Sequence, residues 1–179
     1  MPDTLKPKGL LTPSSVNDLF RSFDKTGRKD VQQLISRYPY WVNEDWPIHE
    51  LGKVSWYVDP DLQHISQVLT CHGDQCTLEY ISNQFINYKC EVESDFPWFT
   101  RKIDAIIASI RSGALLPPII ISSCRFRSKY YVLDGFHRSL ALLVNQKTTS
   151  PSKKLVNVYI GYDAGLSIVK KMIRKVSPA

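Results

Sequence analysis

The stretch YVLDGFHRSLALLV, residues 131–144, limits the possible folds more than any other. An apolar run rich in β-formers ends at Leu133, and a second apolar run sets in at Leu140. An acid, a glycine, an aromatic, a histidine and an arginine fill the gap. YYVLD reads as a strand and RSLALLVNQ as a helix that begins where the strand ends. The flanking sequence continues the alternation. In RKIDAIIASIRSG, Ile103, Ile106, Ile107 and Ile110 recur at helical spacing, and Gly113 is placed to close the helix. PPIIIS reads as a short buried strand entered through Pro117 and Pro118. SCRFRSK is a polar turn, KTTSPSKK a polar loop and LVNVYIGY a third strand. The last segment reads as an amphipathic helix. Leu166, Val169, Met172, Ile173 and Val176 share one face, and Lys170, Lys171, Arg174 and Lys175 share the other. Short strands alternating with helices predict an α/β layer.

The first half is less regular. SVNDLFRSF and DVQQLISRY read as short amphipathic helices, with Ser15 and Asp30 as candidate caps. The aromatic-rich stretch from Tyr40 to Pro60 predicts one or two strands. LEYISNQFINYKCEV alternates in parts and reads as a strand leading toward Glu91 and Glu93. The chain thus divides into an N-terminal, mainly helical extension over 1–80, with no function assigned, and an α/β domain over 81–179.

Charge and cysteines restrict the setting. Sixteen Lys and Arg balance sixteen Asp and Glu up to Gln146; from Lys147 onward seven bases face Asp163 alone. The whole excess of +6 is therefore C-terminal. Such an end suits nucleic acid or an acidic protein surface, or is simply a solvated helix face. No apolar run is long enough to span a bilayer, and the first fifteen residues show no secretory pattern, so the expected location is cytoplasmic. Cys71, Cys76, Cys90 and Cys124 are then expected as reduced thiols. CHGDQC lacks the second ligand pair of a zinc site.

The corner itself carries chemistry. The N–H groups of a first helical turn point outward, and the helix dipole is positive there. Gly135 permits unusual dihedrals and close approach of a ligand to the backbone. Arg138 offers a fork of donors for phosphate oxygens, and His137 can donate or carry a proton. Asp134 can hold a divalent cation, orient Arg138 or merely cap the helix. Ser139 adds a hydroxyl to the same turn. Together, Asp134 to Ser139 suit an anion site at a helix N-terminus.

DGFHRSLAL resembles the DG-x-HR-x-x-A signature of the ParB/sulfiredoxin superfamily, and IDAIIASIRSGALLPPIII resembles that family's preceding helix, glycine turn and strand. The resemblance runs over roughly residues 91–162. It implies a compact ParB/sulfiredoxin-like domain with short mixed strands and flanking helices. Its corner would bind ATP, ADP or CTP phosphates with Mg²⁺ held at Asp134. Phe136 stands where sulfiredoxins carry their cysteine, which argues against peroxiredoxin repair. The Gly-Glu-Arg-Arg corner of the partition proteins is absent, which argues against a ParB-type clamp. Two branches remain. Small ParB-like proteins of plasmid transfer, fertility-inhibition factors among them, imply slow nucleotide hydrolysis and nuclease action on DNA, with a protein of a transfer or partition system as a further partner. Free-serine kinases imply phosphorylation of a small hydroxyl compound. In both, Glu93, or else Glu91 or Asp95, would be the base, and Lys170, Lys171, Arg174 and Lys175 would meet DNA in the first. A nucleotide-sensing module without turnover is the third reading.

Two weaker signals complete the set. Trp41, Trp46, Trp56 and Trp98 suit base stacking or, more simply, a core. His49 and Glu50 form an acid–base pair or an ordinary strand-edge pair.

Overall fold

The computed structural model describes residues 10–23, 29–56, 69, 76–124, 129–149 and 155–163. The chain is mixed α/β and packs as two compact units, each discontinuous in sequence. The first comprises residues 1–46, 117–134 and 155–179; the second comprises 47–116 and 135–154. The boundary expected at residue 80 falls inside the second unit.

The first unit is built on strands β1 (Leu10–Leu11), β2 (Tyr40–Pro47), β4 (Ile119–Cys124), β5 (Lys129–Asp134) and β6 (Leu155–Tyr162). Their order is β1-β2-β6-β4-β5, so the sheet interleaves both halves of the chain. The hairpin β4–β5 is antiparallel, and β4 lies parallel to β6. The β4–β5 register slips between Ile120 and Ile121, where Ile120 faces Asp134 and Ile121 faces Val132. Such a bulge re-aims the end of a strand, here the end that delivers the chain to the DGFHR corner. Helices α1 (Pro13–Phe23) and α2 (Lys29–Ser36) sit on the sheet. Val16, Phe20, Val31 and Ile35 form a core with Trp41, Ile120 and Tyr159. The cap of α1 is Thr12, whose Oγ1 accepts from the Ser15 amide at 3.3 Å; Ser15 is already helical. Asp30 lies within α2. The N-terminal part is therefore more than a helical extension, since β1 and β2 complete the sheet. Gly161 is required by that packing. A Cβ there would lie 2.7 Å from the Trp41 ring and 2.9 Å from that of Tyr38.

The second unit is helical, with the short strand β3 (Ser55–Trp56) bridged to Thr77. Its helices are α3 (Ile48–Leu51), α4 (Leu78–Asn87), α5 (Lys89–Asp95), α6 (Pro97–Arg111) and α7 (Phe136–Thr148). The strand expected over residues 78–92 is helix instead. Leu78, Ile81, Ser82 and Phe85 are buried at spacings of three and four, and Thr77 caps the start by accepting from the Tyr80 amide. α6 begins with Pro97 in its first turn, buries Ile103, Ile107 and Ile110, and is followed by Gly113 at φ +82°. Ile106 is only half-buried.

Helix α7 is apolar on nearly every side, with Leu140, Ala141, Leu142, Leu143 and Val144 all buried. It is the centre of the unit, against which α3, α4 and α6 pack. Polar links tie its C-terminal end: Lys147 Nζ reaches Glu79 and Asn83 at 2.7 and 2.6 Å, and Arg111 Nε donates to Asn145 at 3.0 Å. These contacts fix the helix whose first turn carries His137 and Arg138.

Cys76 is disulfide-bonded and Cys90 is a free, exposed thiol. The disulfide overturns the expected reduced thiol at Cys76, whereas Cys90 is reduced as expected. Among the described residues no helix is long and apolar enough to cross a membrane. The expected helix with Lys170, Lys171, Arg174 and Lys175 lies outside the described residues.

Candidate functional site

The backbone turns from β5 into α7 at Gly135, which has φ +94° and ψ +19°. A residue with a Cβ pays a steric cost in that left-handed conformation, whereas glycine does not. Gly135 is the N-cap, so no side chain from the cap position bonds the first-turn amides. Its carbonyl accepts from the Ser139 amide at 2.8 Å and from the Ser139 hydroxyl at 2.9 Å. Ser139 is fully buried and its proton is spent within the helix. Asp134 is the last residue of β5, in the first unit, and directly precedes the cap.

Phe136 turns its ring away from solvent. It is 7% exposed and stacks on Trp56 with centroids 4.1 Å apart and planes 17° from parallel. The aromatic at this position is a core anchor for the first turn of α7. No local pattern indicates this role, because Trp56 lies far away along the chain.

His137 and Arg138 follow in the first turn, both half-buried. The imidazole lies among rings: 5.3 Å from Phe99, 5.5 Å from Phe136 and 6.4 Å from Trp98, centroid to centroid. Phe99 is fully buried, while Trp98 is 46% exposed. The start of α6 therefore stands beside the start of α7. Distance in sequence hid this pairing too.

Glu91, Glu93 and Asp95 lie on α5, the helix directly before α6. All three are exposed, whereas Val92 between them is buried and holds the helix down. Lys89 at the head of α5 binds both oxygens of Asp104 on α6, at 2.8 and 2.9 Å. The structure thus puts the acidic segment and the His137–Arg138 turn in one unit, with Trp98 three residues after Asp95.

Other sequence candidates resolve into structural roles. Trp41, Trp46 and Trp56 are buried. His49 and Glu50 sit on α3 and not at a strand edge; Glu50 holds Lys53 through both oxygens at 2.8 Å, with His49 at 3.3 Å. Among the described residues, no group of three His, Cys, Asp or Glu is arranged to hold a metal ion. Asp134 alone therefore makes no cation cage, and a Mg²⁺ ion there would lean on a ligand's phosphates, as this ion commonly does.

Polar groups also occur within the sheet of the first unit. In the first unit, Glu44 accepts from the Trp46 indole at 2.7 Å, and the Trp46 ring meets Tyr130 edge-on at 5.2 Å. Burial pushes the Glu44 carboxyl up, partly offset by the indole N–H. Burial, with Tyr130 and Glu44 nearby, pushes the Tyr162 phenol up as well. Asn157 spans Asn43 and Asp45 at 2.6 and 3.1 Å. Glu44 and Trp46 lie on one face of β2, and Asn43 and Asp45 on the other, so these are two separate polar groups within the sheet.

No protein-family model, curated protein or solved structure matches the chain.

Proposed function

We propose that the second unit binds a nucleoside triphosphate through the first turn of α7, and that the protein hydrolyses it slowly with Mg²⁺. One observation carries the reading: a left-handed glycine cap opens a helix whose second and third residues are His137 and Arg138. A first turn of this composition can offer backbone donors, a positive dipole end and a forked cation to an anion. The resemblance of DGFHRSLAL to the ParB/sulfiredoxin signature supports the same reading from the sequence side.

In this scheme the amides around Gly135 and Phe136, with His137 and Arg138, would hold phosphate oxygens, and Asp134 would hold Mg²⁺. Glu93, or else Glu91 or Asp95, takes the proton from the attacking oxygen. Action on DNA, as a nuclease in plasmid or phage biology, rests on the basic C-terminal segment and the ParB-like resemblance. The exposure of Glu91, Glu93 and Asp95 favours a second reading, a nucleotide-sensing module without turnover.

Incubation with ATP or CTP and Mg²⁺, with and without DNA and free serine, separates these outcomes. Free phosphate with nicked DNA supports the hydrolytic reading. Phosphoserine identifies a small-molecule kinase. Binding without products identifies a sensor, and no binding of either nucleotide overturns the proposal.

A further inference from the structure

We infer that Trp98 is the base platform of this site: the indole stacks on the nucleobase of the ligand whose phosphates sit at α7. The inference rests on the nucleotide reading above and adds to it that the ligand must carry a planar ring.

The four tryptophans are not equivalent. Trp41, Trp46 and Trp56 are 0, 6 and 5% exposed. Each is already engaged: Trp41 edge-on to Tyr38, Trp46 edge-on to Tyr130, Trp56 stacked on Phe136. Trp98 alone among them keeps 46% of its surface in water, and it is the one beside His137.

Its mounting suits a platform. Trp98 is the second residue of α6, and its ring is backed edge-on by Phe99, with centroids 5.7 Å apart and planes 85° apart. Phe99 is fully buried and is in turn wedged edge-on against Phe85 at 5.9 Å. Ring contacts with Phe99 and His137 restrict the rotamers of Trp98, which lowers the ordering cost a stacking ligand must supply. The exposed indole area is then available to a flat partner. All nucleobases have a π-face, so the platform tolerates purines and pyrimidines alike. It discriminates nucleotides from bare polyphosphates.

The test uses the full chain, with binding of ATP, CTP and inorganic tripolyphosphate measured by calorimetry in Mg²⁺. Trp98→Leu keeps an apolar side chain against Phe99 and removes the stack; Trp98→Phe keeps a ring. Circular dichroism checks that both fold. Trp98→Leu should weaken ATP and CTP by roughly 5- to 150-fold, the range of one base–aromatic stack, and leave tripolyphosphate unchanged. Trp98→Phe should recover most of the loss. If Trp98→Leu binds ATP as the natural chain does, or weakens tripolyphosphate by the same factor, the stacking role is overturned while the phosphate site stands. If neither nucleotide nor tripolyphosphate binds the natural chain, both readings fall.

Discussion

Replacing Phe136 with alanine tests why an aromatic stands at the corner. The ring is 7% exposed, stacks on Trp56 at 4.1 Å and lies 6.3 Å from Phe99. Truncating a buried phenylalanine costs about 3–5 kcal/mol through lost transfer energy and the cavity left behind. The stacked pair should account for roughly 0.5–1.5 kcal/mol of that loss beyond simple area burial. Against a total stability of about 5–15 kcal/mol, Phe136→Ala leaves a folded but much weakened protein, or tips the least stable case over. Phe136→Leu fills most of the space and provides a milder variant that stays measurable. Urea denaturation gives each loss, and a double-mutant cycle with Trp56→Leu isolates the pair. A loss under about 1 kcal/mol for Phe136→Ala, or a cycle without coupling, would refute the claim that this ring anchors α7.

Two further outcomes follow from named groups. Glu93→Gln should retain nucleotide binding and lose turnover by about a hundredfold, measured as phosphate release; if only Glu91→Gln or Asp95→Asn has that effect, the base is a different carboxylate of α5. Glu44 has its folded-state pKa raised, chiefly by burial, so its contribution to stability is fully present below the ordinary carboxylate pKa and is lost as pH rises through the folded value. Glu44→Gln should therefore match the natural chain in acid and exceed it in Tm toward neutral pH; a variant that is less stable at pH 7 than at pH 4, relative to the natural chain, would contradict the burial argument.

The elements most legible in the sequence were those with strong local punctuation. Pro117 and Pro118 announce β4, Gly113 follows the end of α6, and Gly135 marks the passage from β5 to α7; both glycines have the positive φ that favours glycine. The segment from Leu78 to Asp95 was misleading because LEYISNQF satisfies a partial alternation and a helical stripe at once. Burial of Leu78, Ile81 and Phe85 on one side decides for the helix, and that depends on packing against α7. Nothing local to YWVNEDWP reveals that β2 joins β6, which lies more than a hundred residues further along the chain. The candidate site divides in the same way. Gly135, His137 and Arg138 could be singled out by residue type and order. The stack of Phe136 on Trp56 and the approach of Trp98 to His137 are products of folding, and no spacing rule would have found them.

The most direct test of the central claim is the affinity of ATP·Mg²⁺ for Arg138→Ala, measured beside the natural chain with folding checked by circular dichroism. A charge-assisted hydrogen bond to phosphate accounts for roughly 1.5–3 kcal/mol, so binding should weaken about tenfold or more while the helix signal stays intact. Unchanged affinity in a folded Arg138→Ala protein would contradict the phosphate site at the first turn of α7.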